Sequence, residues 1–247
     1  MPELTFFMKP SVVIMNFTKV YEYETFYRDT SFIWLDCRDI PGTYCYCDSG
    51  AQKTIQFRMA GLPLSGIHFL DSGSYHYISK FWTDKIREPF SLVLIDHHTD
   101  MLPPAFGDIL SCGSWVKEVL DGNSNVKKVI LIGVSDLFIS QISPDYLPRV
   151  VIPDSLQTLA NLTTTEPVYI SIDKDVLNPQ TVSINWDQGN MSLRELAAYL
   201  SVIKQKNRII GVDICGESDH SLLSLRDMKA VKRNNRVNRE LINLLSD

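Results

Sequence analysis

Two short segments of this 247-residue chain set acidic and imidazole side chains at alternate positions. The first is Asp96-His97-His98-Thr99-Asp100, directly after the apolar run Ser91–Ile95. The second is Asp173-Lys174-Asp175, directly after the apolar run that starts at Val168. In extended chain, residues i, i+2 and i+4 project to one side. Asp96, His98 and Asp100 should therefore converge, as should Asp173 and Asp175, while Lys174 points away. Carboxylates gathered at one spot oppose each other's ionisation unless cations neutralise them. Two divalent ions would balance Asp96, Asp100, Asp173 and Asp175 charge for charge. A mixed carboxylate and imidazole set favours Mn²⁺, with Fe²⁺, Co²⁺ and Zn²⁺ as alternatives. The lack of cysteine in both segments speaks against a structural zinc. One Asp-x-Asp alone reads as loop or cap chemistry; two, each abutting an apolar strand, do not.

The histidines are His68, His76, His97, His98 and His220. His76 sits in the glycine-rich turn Asp71-Ser-Gly-Ser-Tyr-His-Tyr, beyond the apolar run Ser65–Leu70. It too falls past the carboxyl end of a strand, where open parallel sheets carry their sites. His68 lies inside that run and reads as a packed core residue. His97 alternates away from its neighbours and reads as supporting rather than ligating. The cysteines, Cys37, Cys45, Cys47, Cys112 and Cys215, fit neither a zinc ribbon nor a disulfide framework, so a reducing, cytoplasmic setting is the simplest expectation. Cys45 and Cys47, one residue apart, are expected to line one face of a strand rather than hold a metal.

The elements that must position these groups are apolar runs: Ser11–Met15, Ser31–Leu35, Ser65–Leu70, Ser91–Ile95, Lys128–Val134, Arg149–Ile152, Val168–Ile172 and Arg208–Ile214. Continuous rather than alternating apolar strands imply a sheet buried on both faces. Over Ser192–Lys206 the spacing predicts a helix, with Ser192 and Glu195 as a capping box and Leu193, Leu196, Ala197, Leu200 and Ile203 on one face. It joins two apolar runs, the signature of a parallel βαβ unit. The expected fold is α/β, a three-layer α-β-α arrangement around a mainly parallel sheet of about eight strands. No repeat or linker interrupts it, so residues 1–247 read as one domain. Tyr21–Ala60, broken by Pro41, Gly42 and Gly50, predicts little regular structure. The basic residues of the tail, Arg226, Lys229, Lys232, Arg233, Arg236 and Arg239, read as the solvated face of a terminal helix.

Bulk properties exclude several classes. A hydrophobic content of 45% supplies a packed core. No apolar run approaches the roughly 20 residues that span a bilayer, and the N-terminus lacks the features of a secretory signal. A net charge of −5 disfavours a general nucleic-acid binder.

In order along the chain, three segments resemble signatures of the arginase (ureohydrolase) family. Gly73-Ser74-Tyr75-His76-Tyr77 is similar to the family's GGDHS turn. Asp96-His97-His98-Thr99-Asp100 resembles its DAHxD motif, and Ser171-Ile-Asp173-Lys-Asp175-Val-Leu-Asn178-Pro179 its SxDxDxxDP motif. The likeness runs from about the seventieth residue onward. It implies an arginase-like fold and two manganese ions. His76, Asp96, Asp100 and Asp173 would hold one ion; His98, Asp96, Asp173 and Asp175 the other, with Asp96 and Asp173 bridging. A hydroxide between the ions would attack a linear C–N centre, guanidino, ureido, formimino or related, with Asp100 orienting it. The chain also departs from the family. Cys112-Gly113 stands where a proton-transferring His-Gly pair is usual. Glu217 lies one residue late for the glutamate that holds the substrate guanidinium, so that a bulge at Gly216 would be needed to bring it in. Asn178 replaces the aspartate of DP.

The resemblance thus implies a metal-dependent hydrolase of a small nitrogen-rich substrate, with Asp100, Cys112 and Glu217 as the catalytic set. Neither nucleic acid nor membrane is an expected partner, and a homo-oligomer is compatible with all of this. Two rivals stand: an amide deacetylase, expected to use one zinc and fewer aspartates, and a silent metal-binding or regulatory protein.

Overall fold

A continuous apolar strand keeps both its faces dry only inside a covered sheet, and each of the eight apolar runs becomes a strand of one such sheet. The computed structural model describes residues 11–107, 109–162, 164–218 and 225–246. The strands are β1 (Val12–Asn16), β2 (Phe32–Asp36), β3 (Tyr46–Cys47), β4 (Ile67–Phe69), β5 (Phe90–Ile95), β6 (Leu110–Ser111), β7 (Val126–Ile132), β8 (Val150–Val151), β9 (Val168–Asp173) and β10 (Ile209–Cys215). Eight of them pair in the order β2-β1-β4-β10-β9-β5-β7-β8. Every pairing in this sheet is parallel. Strands β3 and β6 form a separate short antiparallel pair.

The helices are α1 (Ser49–Met59), α2 (Ile78–Thr83), α3 (Trp115–Gly122), α4 (Asp136–Ile139), α5 (Leu156–Asn161), α6 (Leu193–Lys206) and α7 (Leu225–Ser246). Alternation along the strands divides the interior in two. Val13, Met15, Leu92 and Leu94 pack with Ile55 of α1, Trp82 of α2 and Val119 of α3. Val12, Ile14, Val93 and Ile95 pack with Leu159 of α5, Leu200 of α6 and Leu241 of α7. The sheet is the middle layer of three. Helix α6 carries the expected capping box between Ser192 and Glu195. Helix α1 lies in the stretch for which no helix was expected. Its Gly50 is tolerated because it occupies the first turn, where the Asp48 carboxylate caps the Gly50 and Ala51 amides. On α7, Lys229, Lys232, Arg236 and Arg239 are exposed, as the tail's pattern predicts, while Arg233 is half-buried and donates to the Pro179 carbonyl. The side chain of Arg226, and the whole of His220, lie outside the described residues. No helix among the described residues is long and apolar enough to cross a membrane.

Strand order and register place the site. Ile95 of β5 pairs with Ile172 of β9, and Cys215 of β10 pairs with Asp173. Asp96, Asp173 and Cys215 therefore end three adjacent strands side by side. The chain leaves β5 toward β7 and leaves β9 toward β10, on opposite sides. The crevice between them is a topological switch point, the place where ligands bind in open α/β sheets.

Candidate metal centre

His76 reaches the centre from the loop after β4. That loop turns at Asp71, a non-glycine residue at φ 74°. Its carboxylate accepts from the backbone of Phe17 (2.8 Å), Thr18 (2.9 Å) and Ser72 (2.8 Å) and from the Thr18 hydroxyl (2.7 Å). These bonds hold an unfavourable backbone conformation in place. A 3₁₀ turn, Gly73–Tyr75, then delivers the imidazole.

Six side chains meet at the carboxyl ends of β5 and β9. His76 Nδ1 lies 2.9 Å from Asp100 Oδ2, 3.3 Å from Asp96 Oδ2 and 3.5 Å from Asp173 Oδ2. His98 Nδ1 lies 2.8 Å from Asp175 Oδ2 and 3.4 Å from Asp96 Oδ1. The two oxygens of Asp96 thus face two different imidazoles. His76, Asp96 and Asp100 form one group able to hold an ion, and Asp96, His98 and Asp175 form another. Asp96 Oδ2 is buried and has no hydrogen-bond partner among the described residues. Such an oxygen costs free energy unless something electropositive meets it, so the residues present fit a cation at each group. A third grouping joins His76, Asp173 and Cys215, whose thiol donates to Asp173 Oδ2 (2.9 Å).

Supporting bonds fix these donors. His76 Nε2 contacts Ser171 Oγ at 2.9 Å, and that hydroxyl donates to Asp213 Oδ1 at 2.5 Å. This leaves Nδ1 turned toward the carboxylates, the arrangement by which an outer partner orients a ligating histidine. Trp115 Nε1 donates to Asp100 Oδ2 at 2.6 Å. The His97 amide donates to Asp175 Oδ1 at 3.0 Å, and the Asp175 amide to Asp173 Oδ1 at 2.9 Å. Gly216, at φ 94°, could not carry a side chain here, because its Cβ would come within 2.6 Å of Asp173 Oδ1.

The electrostatics carry the strain that four carboxylates imply. Burial and then the Asp96 charge lift Asp100 to about 6 and also raise Asp173. Asp175 goes well up through burial and the charges of Asp173 and Asp96. Burial also lifts Asp96, but His76 and His98 outweigh it and hold that carboxyl well below the usual range. Burial lowers His98, yet Asp175 and Asp96 raise it to about 11. His76 is likewise opposed by burial and raised well above its ordinary value by Cys215, Asp100 and Asp96. The surrounding carboxylates thus favour the protonated imidazoles in the metal-free protein, and cations compete with those protons.

Metal loading at pH 7 should therefore release protons, measurable by titration calorimetry in buffers of different ionisation enthalpy. For Asp100 the folded value, about 6, exceeds the ordinary 3.8. Its protonated form is favoured by folding, so metal-free stability declines as pH rises from about 4 to about 6, while metal affinity rises over the same window. His98 has the same sign. Its contribution to the metal-free fold is complete below pH 6.5 and is lost as pH climbs toward 11. Proton release near zero would refute the assignment.

Cys112 lies in the wall of the same cavity, with its amide bonded to the Cys45 carbonyl (3.0 Å). A hydrogen bond with the Cys45 thiol, then burial, pushes the Cys112 thiol far up, so it is protonated at neutral pH. Cys45 and Cys47 do not share a face. Cys45, at φ 59°, lines the cavity, whereas Cys47 is packed in the core, because β3 begins only at Tyr46. His68 is the core residue its position suggests, stacked 3.6 Å from Trp82.

Glu217 is the exception among the expected site residues. The positive φ of Gly216 ends the alternation of β10 and turns Glu217 to the Lys174 side of the sheet ends, away from the cavity. There it pairs with the fully buried Lys174 ammonium and accepts from Asn238 (2.7 Å) and Asn234 (2.9 Å) of α7. A bulge at Gly216 does not carry it into the site. The physical reason is that Lys174, buried between two acidic neighbours, needs an anion on its own side. Trp115, Phe138 and Trp186, which adjoin the ligands, escaped sequence reasoning. Trp115 follows the Cys112-Gly113 pair by two residues, but neither it nor the other two belongs to a motif, and only tertiary packing brings them in.

Comparison with known proteins extends beyond the three motifs. The model of the arginase family matches residues 36–217, starting well before the first signature. An uncharacterized protein of Thermotoga maritima is 34% identical over 160 residues, 62% of this chain and 59% of that relative, so the match spans under two thirds of its length. Among solved structures, the proclavaminate amidino hydrolase of Streptomyces clavuligerus superposes with a TM-score of 0.66 at 17% identity, covering 96% of this chain and 92% of that one. The formimidoylglutamase of Bacillus subtilis gives 0.65 at 15% identity, covering 96% and 86%. The arginase of Bacillus cereus gives 0.66 at 15%, covering 96% of each. At such identities these likenesses establish the fold. With the family match over most of the chain, they identify this protein as a member of the arginase family.

Proposed function

We propose that the protein is a dinuclear metal hydrolase that cleaves a linear C–N bond in a small molecule carrying a guanidino, ureido, formimino or related group. The observation that carries this reading is the pair of ligand groups sharing Asp96, each with its own imidazole, on the floor of one cavity. The names of the structural relatives, an amidino hydrolase and a formimidoylglutamase, support the reaction class. Two divalent ions, Mn²⁺ first, would supply Lewis acidity and a water of lowered pKa, toward about 7.

The chain's own residues do the rest. His76, Asp96, His98, Asp100, Asp173 and Asp175 hold the charge, and Ser171 keeps His76 in the ligating orientation. Asp100, on the cavity floor, would orient the attacking water and is itself held by Trp115. Trp115→Phe removes that bond and should lower kcat by about tenfold with little change in KM, as a hydrogen bond to a charged group is worth about 1.5–3 kcal/mol. Steady-state kinetics on the metal-loaded variant, compared with its melting temperature, separate this from general damage. The convergence of both Asp100 and Asp175 on the floor favours this reading over a one-zinc deacetylase.

Metal analysis after manganese loading, followed by turnover on a panel of guanidines, ureas, amidines and amides, tests the proposal. About two ions per chain and release of a nitrogen product from at least one class are expected. Arginine should be a poor member of that panel, with negligible urea release. Glu217 is held by Lys174, and a protonated Cys112 thiol is a weak proton carrier. Cys112→His alone should not restore it. Saturation at one ion, with no turnover across the panel, would sink the reading.

A further inference from the structure

Above the ligand floor, the cavity of about 410 Å³ has the size of a small-molecule site. Its walls differ in kind from its floor. Tyr46, Leu102, Pro103, Phe138 and Trp186 form them, with the protonated Cys112 thiol between. Among the described lining residues, no lysine, arginine, aspartate or glutamate occurs apart from the ligands themselves. Phe138 packs on His98 with the rings tilted and 4.6 Å apart, and Trp186 lies edge-on to His98 at 6.3 Å, so aromatic surface begins directly at the ligands. At the mouth, Tyr46 is 36%, Leu102 40% and Trp186 39% exposed, and Phe106, 64% exposed, packs on Tyr46 at 5.4 Å. Large apolar side chains do not remain uncovered around a cavity without cost, and a rimmed apolar patch marks a binding site.

Charge leads to the same point. Two divalent ions on the floor would leave four carboxylates neutralised and none to spare. Glu217, an acid at the sheet ends that might have held a cationic substrate group, faces away, paired with Lys174. Among the described lining residues a substrate tail bearing a carboxylate or an ammonium would find no counter-charge, and burying an unpaired charge is strongly unfavourable. An aryl or branched alkyl group would instead cover Tyr46, Leu102, Phe138 and Trp186 and displace water from them.

The geometry points to a substrate whose non-reacting part is uncharged and apolar, an aryl or branched alkyl body attached to the C–N group, with Trp186, Phe138, Tyr46 and Leu102 setting that preference. This inference rests on the hydrolase reading for the identity of the reacting group, but not for the character of the pocket.

The test compares ligands that share a reacting group and differ only in the body. Benzylguanidine is set against agmatine and arginine, and benzylurea against citrulline. Binding to the manganese-loaded protein is read by calorimetry, and turnover is followed in parallel. In at least one of the two sets, the aryl ligand should bind tenfold or more tightly than its charged counterparts. Trp186→Ala should reduce that ratio at least about threefold, with Trp186→Phe retaining most of it. Leu102→Glu should weaken benzylguanidine and strengthen agmatine, bringing their ratio toward one. Equal or tighter binding of the charged ligands in both sets overturns the inference. So does a ratio of one accompanied by a doubled mass in solution, which would mean that the rim packs against a second copy. Because the ratio is read in binding, absence of turnover would count against the hydrolase reading alone.

Discussion

Asp96→Asn should abolish turnover, by at least about a thousandfold, and leave the protein with no more than one bound ion. Asp96 is the residue whose two oxygens face separate imidazoles, Oδ2 toward His76 and Oδ1 toward His98. An amide keeps the shape but removes the charge and turns one of the two oxygens into a donor. Loss of Lewis-acid stabilisation worth several kcal/mol corresponds to that factor. The stability consequence depends on metal. In the metal-free protein the substitution removes the partner of two imidazoliums but also relieves repulsion on Asp173 and Asp175, so the melting temperature should move little. With saturating manganese, the wild type gains the free energy of binding and the variant does not. A melting difference that opens only as manganese is added, together with elemental analysis, is the expected pattern. Asp173→Asn should behave alike for metal but disturb the loop less, since an amide oxygen can still accept the Asp175 amide now bound to Asp173 Oδ1. If Asp96→Asn retained two ions and full activity, the shared-carboxylate assignment would be wrong.

Lys174→Met should destabilise the fold by about 3–5 kcal/mol, a fall of roughly 10 °C or more in melting temperature. Lys174 is fully buried, and its ammonium meets Glu217 and the Asn238 side-chain oxygen (2.8 Å). Asn238 in turn donates to Glu217 (2.7 Å) and Glu24 (2.8 Å). Burial, reinforced by the Glu217 charge, raises Glu24 well above its ordinary value. Methionine in place of lysine leaves Glu217 without a cation in the interior, and an unpaired buried charge is strongly unfavourable. Glu217→Gln should be milder, because the amide oxygen can still accept from Asn238 and Glu24 remains a second carboxyl near Lys174. Neither substitution touches the cavity wall. Glu217→Gln should consequently leave KM unchanged, and denaturant unfolding with kinetics on the same sample reads both effects. A large rise in KM for Glu217→Gln, with unchanged stability, would return Glu217 to the substrate side.

The sequence alone determined the layered parallel fold and pointed to the acidic and imidazole side chains that gather at the sheet ends, for a local reason. A run such as Ser91–Ile95 is apolar on both faces, so it must be a covered strand whose carboxyl end carries the residues that follow. Asp96, His98 and Asp100 do gather there, and Lys174 does turn from Asp173 and Asp175, but through a bend over 96–98, a positive φ at Asp100 and a 3₁₀ turn over Lys174–Val176 rather than through the alternation of extended chain. His76 needed only its place past a strand end. Tyr21–Ala60 was less readable, because β2 is half exposed and α1 is announced chiefly by the Asp48 cap rather than by an apolar stripe. What tertiary structure decided was everything that depends on strand order. Adjacency of β5 and β9, separated in the chain by β7 and β8, brings the two acidic segments together. The fate of Glu217 turned on one positive φ at Gly216 and on the need of a buried Lys174 for an anion, neither of which a linear pattern encodes. The apolar walls are likewise long-range. Tyr46, Leu102, Phe138 and Trp186 come from four separate loops or short elements, with no common spacing to mark them, and their shared cavity exists only once the sheet ends have been assembled.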